Sequence, residues 1–292
     1  MSAIGGIIPA LVTPTDDRGA PDLGRLPGVL DHVLQAGVHG VFAMGGQGEF
    51  WAFTPEEQAA VAQVVVAHVD GRVPVLIGIS AETTRQCHAL AARAADSGAD
   101  MVTLMPPMAG PLTQPELEAH VTALADASAL PVVLYHHPAR ARTAFSLPLV
   151  QRLTAHPGVV GIKDSSGSLA TLLQLQRLAS SSFSVMVGND AMISSALLAG
   201  CAGAVAATGN VVPALLVAMH DACAAGDVDR ATQLQQRLLP LRTAFALGTF
   251  PVVVKEAMAM IGLPVGPAAA PVAPLTDDAR QQLRTAVDEA VA

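Results

Sequence analysis

Short apolar runs recur along the chain, and longer segments rich in Ala, Leu and Gln separate them. Several runs are rich in β-branched residues and stay apolar throughout, which is typical of parallel strands buried on both faces. The pattern predicts eight strands, at residues 7–13, 38–44, 73–79, 101–105, 131–135, 159–163, 183–188 and 202–207.

The segments between these runs carry the signals of helix ends. Thr54 has the spacing of a helix N-cap, because Pro55 follows at the first helical position and Glu57 stands three residues after the cap. Thr113 and Glu116 repeat this spacing ahead of a helix predicted over residues 117–129. Glycines stand where three helices should end: Gly37, Gly98 and Gly200.

Strand–helix units with short connections imply right-handed parallel crossovers. Eight units suit an α/β fold of the closed (β/α)8 TIM-barrel type better than an open, doubly wound sheet, which typically has about five or six strands. The strand pattern stops near residue 225, and three further helices are predicted at residues 227–246, 250–261 and 276–291. We therefore expect a barrel carrying the active site over residues 1–225 and a C-terminal helical extension over residues 226–292.

The amino-acid composition argues against several classes of protein. Of 292 residues, 51% are hydrophobic and 14% are charged, which excludes a disordered chain. A net charge of −8 without a Lys/Arg cluster argues against nucleic acid as a partner. The three scattered cysteines do not suggest a disulfide framework, so a reducing compartment is expected.

Two segments are relevant to membrane insertion and to secretion. Residues 191–219 contain no Asp, Glu, Lys or Arg and are long enough to span a bilayer. Ser, Gly, Asn and Pro residues interrupt the stretch, so helix, strand, turn and helix are predicted there instead. Residues 1–6 lack a basic region before an apolar one, so no signal peptide is expected. The expectation is a cytoplasmic protein without a membrane partner.

Rare residue types point to the chemistry. The chain has only two lysines, Lys163 and Lys255, and one tyrosine, Tyr135. Tyr135 ends the fifth predicted strand and Lys163 the sixth, at the barrel end where active sites of this fold lie. If both side chains point inward, the amine can attack a ketone to form a Schiff base, and the phenol can move protons. The alternative is a solvent-facing lysine. Lys255, beside Glu256, is expected to lie remote from any strand end.

A glycine-rich turn follows the second predicted strand, at residues 45–49 with the sequence Gly-Gly-Gln-Gly-Glu. Small residues let backbone N–H groups approach an anion, so the turn could hold a carboxylate or phosphate, unless it is a plain tight turn. Neither a dinucleotide fingerprint nor a P-loop is present. His136 and His137 are adjacent on a strand and point to opposite faces, so no metal site is expected from them.

These features together resemble the dihydrodipicolinate synthase / N-acetylneuraminate lyase family of Schiff-base aldolases and lyases. The resemblance covers nearly the whole chain and rests on five motifs: Pro-Ala-Leu-Val-Thr-Pro at 9–14, the turn at 45–49, Tyr-His-His-Pro at 135–138, Gly-Ile-Lys-Asp-Ser-Ser-Gly at 161–167 and Gly-Asn-Asp at 188–190. It implies a 2-oxo acid substrate, most often pyruvate, no metal or organic cofactor, and a homotetramer or dimer.

The resemblance implies functions for individual residues. Lys163 resembles the imine-forming nucleophile, and Tyr135 resembles the general acid and base. Backbone amides of two turn residues would hold the substrate carboxylate, and Arg140 resembles the arginine that grips the second substrate's carboxylate. The resemblance assigns substrate binding to Gly46, Gln47, Arg140, Gly188 and Val205.

The chain departs from the family pattern in three places. Gly46 and Gln47 replace two hydroxyl residues, Met108 and Ala109 stand where many members have two tyrosines, and His136 replaces an asparagine. These departures remove a hydroxyl proton relay and favour a second substrate other than that of dihydrodipicolinate synthase. The leading hypothesis is a lyase or aldolase acting on pyruvate or a longer 2-oxo acid. The alternatives are a 2-keto-3-deoxy sugar acid dehydratase, which the Gly-Gly-x-Gly-Glu-Phe motif resembles, and a non-catalytic ligand-binding barrel.

Overall fold

Eight parallel strands form the centre of the molecule in the computed structural model, which describes residues 4–292. The expectation about residues 1–6 therefore falls partly outside the described residues. The strands pair in the order β1-β8-β7-β6-β5-β4-β3-β2, and a parallel bridge between Ala10 and Phe42 brings β1 beside β2. Their bounds are β1 (Gly6–Pro9), β2 (Val41–Ala43), β3 (Val75–Gly78), β4 (Met101–Leu104), β5 (Val132–His136), β6 (Val159–Asp164), β7 (Ser184–Val187) and β8 (Gly203–Ala206).

Helices surround the strands, and the predicted end signals are present. Thr54 and Thr113 each form a complete capping box, and Gly37, Gly98 and Gly200 adopt positive φ after their helices. The helices are α1 (Leu26–Gln35), α2 (Pro55–Val69), α3 (Thr84–Asp96), α4 (Gln114–Ala127), α5 (Leu147–Leu153), α6 (Leu169–Gln176), α7 (Ile193–Leu198), α8 (Pro213–Ala224), α9 (Val228–Thr243), α10 (Val252–Met260) and α11 (Asp277–Val291).

The structure confirms the TIM barrel with a helical extension and excludes the open sheet. All eight predicted strands are present, although β1 ends at Pro9 rather than at residue 13. Farther along the predicted run, the Val12 amide bonds to the Asn210 side chain and not to a neighbouring strand. Residues 191–219 fold into α7, β8 and part of α8, and within residues 4–292 no helix is long and apolar enough to cross a membrane.

The three last helices pack against the barrel. Helix α9 packs against α8 and α11, and its C-terminal end reaches the end of the barrel at which the strands finish. The division into a barrel over residues 1–225 and an extension over residues 226–292 stays a prediction. The cavity described below has lining residues in both parts. All three cysteines carry free thiols.

Candidate active site

A cavity of about 510 Å³ opens at the C-terminal ends of the strands. It brings together six of the seven residues singled out from the sequence, and Gly46 lies in the turn beside it. The six are Gln47, Tyr135, Arg140, Lys163, Gly188 and Val205. They come from five strands or the loops that follow them, so only the closed barrel places them around one space.

Lys163 and Tyr135 are direct neighbours across β5 and β6. Both side chains are buried, with 5% and 6% of their surface exposed. The Lys163 Nζ lies 4.0 Å from the centre of the Tyr135 ring and 5.2 Å from that of Phe42. Among the described residues, no carboxylate lies within 4.0 Å of this amine and no acceptor bonds to it. An amine held beside a phenol and free of any counter-ion is suited to attack a carbonyl.

Lys255 does not lie where the sequence suggested. Its side chain is buried, and Nζ is 2.6 Å from Glu49 Oε2. Nζ also donates to Thr15 Oγ1 at 3.0 Å and to the Pro267 carbonyl at 2.7 Å. Burial lowers the pKa of Lys255, and the ion pair with Glu49 opposes that shift. The expectation of a remote lysine was wrong, because α10 folds back against the turn after β2. The bonds occupy the amine, unlike that of Lys163.

The turn at residues 45–49 holds an unusual backbone. Met44 just before it and Glu49 at its end both have φ of 56°, in the left-handed region that few side chains favour. Among the described residues, neither the Gly46 nor the Gln47 amide donates a hydrogen bond. The turn therefore offers two unoccupied N–H groups next to the cavity, as a carboxylate site requires.

The Gln47 side chain is 2% exposed and lines the cavity. Its Nε2 and Oε1 atoms are both buried, and neither has a hydrogen-bond partner among the described residues. Leaving a buried amide unpaired costs about 1–3 kcal/mol, so the position suits a ligand group that both donates and accepts. From the sequence only the backbone of Gln47 was expected to act. The sequence signal that could have indicated a role for the side chain was a glutamine, with its long amide group, at a position where the family usually has a small hydroxyl residue.

Gly188 lies against the candidate nucleophile. A Cβ atom added there would lie 2.7 Å from Lys163 Cε and 2.1 Å from Ser165 Oγ. No side chain fits without displacing these groups. The glycine thus leaves the space into which the lysine side chain extends.

We expect Gly188→Ala to lower kcat/KM by about 10²-fold, because a displacement of the reacting group by roughly 1 Å has that effect. Steady-state kinetics on the purified variant measures the change. The matched control is Gly28→Ala in α1, where an added Cβ meets nothing within 4 Å. Equal activity in the two variants would contradict the proposed position of Lys163.

Arg140 lies beside the same turn and forms no ion pair with any residue that the structure describes. Its guanidinium carbon is 4.8 Å from the centre of the Trp51 ring and 4.7 Å from that of Phe250. Burial lowers the pKa of Arg140. A Cβ added to Gly46 would lie 3.4 Å from Arg140 Nη1 and 3.6 Å from Tyr135 Oη. The guanidinium and the phenol therefore flank the position where a hydroxyl side chain is missing.

The adjacent histidines point to different surroundings, as expected. His137 lines the cavity, and burial chiefly, with Arg140 and Lys163 adding to it, lowers its pKa to about 4. His136 instead lies with Nε2 3.8 Å from Asp164 Oδ1, and both side chains are buried. Burial lowers the pKa of His136 and raises that of Asp164, which favours neutral forms of both.

One cluster of metal-binding residue types occurs within residues 4–292, formed by His39, His220 and Asp221. These residues lie before β2 and in α8, away from the cavity. The Ile7 amide donates to His39 Nδ1 at 3.1 Å, which leaves the ring proton of a neutral His39 on Nε2. Neither nitrogen then offers a free lone pair, so the residues present do not form a metal site.

The sequence did not reveal the contribution of the extension to the cavity. Arg242 at the end of α9, Phe245 and Phe250 all line it. Arg242 stacks on Phe245, with its guanidinium carbon 5.2 Å from the ring centre. No local sequence signal marked these residues, because the end of an amphipathic helix has the same pattern of apolar and polar residues whether it packs against the core or lines a cavity.

Comparison with known proteins places the chain in a family. The model of the dihydrodipicolinate synthetase family matches residues 3–290. A relative from Methanoculleus marisnigri named 4-hydroxy-tetrahydrodipicolinate synthase is 37% identical, with 96% of this chain and 97% of the relative covered.

Solved structures agree with the sequence relatives. The dihydrodipicolinate synthase DapA-2 from Bacillus anthracis has a TM-score of 0.95 and 30% identity, with 99% of both chains covered. YagE from E. coli K12, a prophage protein of the dihydrodipicolinic acid synthase family crystallised with pyruvate, has a TM-score of 0.95, 33% identity and the same coverage. The chain belongs to the dihydrodipicolinate synthetase family of Schiff-base lyases.

Proposed function

We propose that the protein forms an imine between Lys163 and the keto carbon of pyruvate or a longer 2-oxo acid. The observation that carries this proposal is the buried Lys163 amine, unpaired and 4.0 Å from the ring of Tyr135. The amine forms a bond to the carbonyl carbon, and the carbonyl oxygen leaves as water after it accepts protons. Tyr135 is the group placed to supply and remove those protons.

The remaining site residues orient the acid. Its carboxylate would accept hydrogen bonds from the free amides of Gly46 and Gln47, and Gly188 and Val205 line the same cavity. The imine then acts as an electron sink, so that the bond between carbons 3 and 4 of the acid can form or break. This arrangement is a lyase or aldolase site, and the family membership sets the non-catalytic alternative aside.

The cavity is large for pyruvate alone. About 510 Å³ lies within the range of roughly 300–1,000 Å³ that holds much larger ligands. A second reactant or a longer 2-oxo acid is therefore expected beside Lys163. The buried, unpartnered amide of Gln47 favours a ligand with hydroxyl groups.

A second candidate reaction follows from Gln47. A 2-keto-3-deoxy sugar acid carries hydroxyls beyond carbon 3, and its imine can lose a proton from carbon 3 and hydroxide from carbon 4. The product is water and an unsaturated intermediate, and Lys163 and Tyr135 serve in the same roles. The dehydratase reaction and the aldolase reaction share every step up to the imine.

We expect condensation of pyruvate with aspartate semialdehyde to be slow. The position that would carry the first relay hydroxyl is Gly46, and Met108 and Ala109 supply no phenol. Losing general acid–base assistance costs typically about 10²–10⁴-fold. A coupled assay with the semialdehyde, run beside 2-keto-3-deoxy sugar acids, measures the difference. The matched variant is Gly46→Ser, which restores a hydroxyl near Tyr135 Oη and should raise the semialdehyde rate.

A kcat/KM for the semialdehyde of about 10⁴ M⁻¹s⁻¹ or more in the unaltered protein would overturn this expectation. The imine itself is tested separately, by borohydride reduction with pyruvate and mass spectrometry. A mass gain equal to one reduced pyruvate adduct supports the proposed function whichever second substrate is used.

A further inference from the structure

The cavity contains an imidazole that the proposed function does not use. His137 follows β5 directly, two positions after Tyr135, so the two side chains share one side of the chain. Both residues line the cavity together with Lys163. The His137 ring centre is 5.7 Å from that of Tyr135, and the Lys163 Nζ is 4.0 Å from the same Tyr135 ring centre. The imidazole therefore lies no farther than about 10 Å from the amine.

The hydrogen bonding of His137 leaves its ring available to a ligand. Among the described residues, neither ring nitrogen has a hydrogen-bond partner, and Nδ1 is buried whereas Nε2 keeps accessible surface. His68, His120 and His156, by contrast, each have a polar side-chain partner at 3.0 Å or less. Nε2 of His137 is thus the ring nitrogen that a substrate hydroxyl can reach.

The surroundings keep the resting imidazole neutral. Burial chiefly lowers the pKa of His137 to about 4, and the charges of Arg140, Lys163 and His136 add to the shift. A neutral imidazole has a lone pair on one ring nitrogen, so His137 can accept a proton at neutral pH. When the protonated imine on Lys163 becomes an enamine, its positive charge disappears. A proton on His137 then meets less repulsion at the step that would place it there.

The other titratable groups that line the cavity are engaged or unsuited to this work. Asp190 Oδ2 accepts a hydrogen bond from the Thr208 amide at 2.7 Å. An arginine stays protonated in proteins, so neither arginine of the lining can act as a base. Lys163 carries the substrate in the proposed function. Among the described lining residues, Tyr135 and His137 remain to exchange protons with the reacting atoms.

Tyr135 works without the relay hydroxyl that the turn after β2 would supply. Gly46 has no side chain, and a Cβ added to it would lie 3.6 Å from Tyr135 Oη. The same tyrosine already serves the formation and hydrolysis of the imine in the proposed function. A second acid–base group beside its ring can take over the proton transfer at the substrate hydroxyl.

We propose that His137 is a second acid–base residue of the site and acts on the hydroxyl at carbon 4 of a 4-hydroxy-2-oxo acid. Nε2 accepts the hydroxyl proton while the bond between carbons 3 and 4 breaks. The O–H electron pair forms the carbonyl of the departing aldehyde, and the electron pair of the broken bond forms the enamine. His137 returns the proton to carbon 3, and water then hydrolyses the imine. This inference rests on the proposed function, because it requires the imine with Lys163.

His137→Gln tests the proposal, because glutamine still donates and accepts hydrogen bonds but cannot carry the proton. The probes are 2-keto-3-deoxygluconate and 4-hydroxy-2-oxopentanoate, whose cleavage releases pyruvate for a lactate dehydrogenase assay. We expect kcat for cleavage to fall by about 10²–10⁴-fold, the usual contribution of general acid–base catalysis. The borohydride adduct with pyruvate should form at nearly the rate of the unaltered protein, which also shows that the variant is folded.

Free imidazole gives a second readout that a structural role would not affect. His137→Ala leaves space for the missing ring, so added imidazole should restore cleavage in proportion to its concentration. Tyr135→Phe keeps His137, so it should slow the adduct itself and gain nothing from imidazole. The matched control is His88→Gln in α3, a helix that contributes no residue to the described lining of the cavity. It should cleave both probes at the unaltered rate.

Several results would overturn the role of His137 and leave the imine standing. Unaltered cleavage in His137→Gln would show that the ring only shapes the cavity. An equal loss of adduct and cleavage, or a loss in His137→Ala that imidazole does not restore, would show a structural role. In the unaltered protein, adduct formation without cleavage of either probe, or loss of water from the sugar acid in place of pyruvate release, would also contradict it. Absence of a pyruvate adduct in the unaltered protein would instead overturn the proposed function, and this inference with it.

Discussion

We expect Lys163→Ala to abolish the borohydride-dependent adduct with 2-oxo acids and to lower the rate of turnover by roughly 10⁴–10⁶-fold, the scale expected for loss of a covalent nucleophile. The reason is that the chain has no substitute. Its other lysine, Lys255, is held by Glu49 at 2.6 Å and by two further oxygens. Mass spectrometry of the intact protein after reduction measures the adduct, and peptide mapping assigns it to a residue.

Two companion variants make this result specific. Lys163→Met keeps the length and apolar stem of the side chain, so it separates loss of the amine from loss of packing at a buried position. Tyr135→Phe keeps the nucleophile, so it should still form the adduct at a rate lower by about 10²–10⁴-fold. A full mass gain in Lys163→Ala would exclude this lysine as the imine-forming residue.

We expect Lys255→Met to lower the free energy of unfolding by about 3–5 kcal/mol, because it leaves the buried carboxylate of Glu49 without its counter-ion. The Ala269 amide, 2.7 Å from Glu49 Oε1, is then the remaining partner of that carboxylate among the described residues. Chemical denaturation followed by circular dichroism measures the loss. The same variant should raise KM for the 2-oxo acid, since Glu49 ends the turn that carries Gly46 and Gln47.

The double variant Lys255→Met with Glu49→Gln tests the cause. Replacing both charges leaves no unpaired ion, so much of the stability lost in the single variant should return. Arg280→Gln is the control, because it breaks an ion pair with Glu256 whose arginine is 42% exposed, and it should have a much smaller effect. Losses that simply add in the double variant would show that the ion pair is not what stabilises this region.

The sequence predicted the barrel, and the pair of residues at the centre of the candidate site, for definite physical reasons. Parallel strands buried on both faces must be apolar throughout, so the eight runs were visible without any long-range information. Tyr135 and Lys163 end neighbouring predicted strands, so their side chains would converge if both pointed inward, and the structure shows the two residues in register. Both inferences rest on local periodicity.

The parts that the sequence did not predict depend on contacts between distant segments. Lys255 and Glu49 pair only because α10 returns to the turn after β2, and no local pattern encodes that return. Arg242 reaches the cavity for the same reason. The orphaned amide of Gln47 could be recognised only once its surroundings were known, since a glutamine in a turn is ordinarily solvated.

The tryptophan beside Arg140 gives the molecule a built-in optical reporter. Trp51 is the one tryptophan in the sequence, so its fluorescence can be excited without interference from any other indole. It is 42% exposed and lies 4.8 Å from the Arg140 guanidinium, so an anion that engages Arg140 changes the charge directly over the ring. Occupancy of the cavity can therefore be followed by emission intensity in real time, without a label and without turnover.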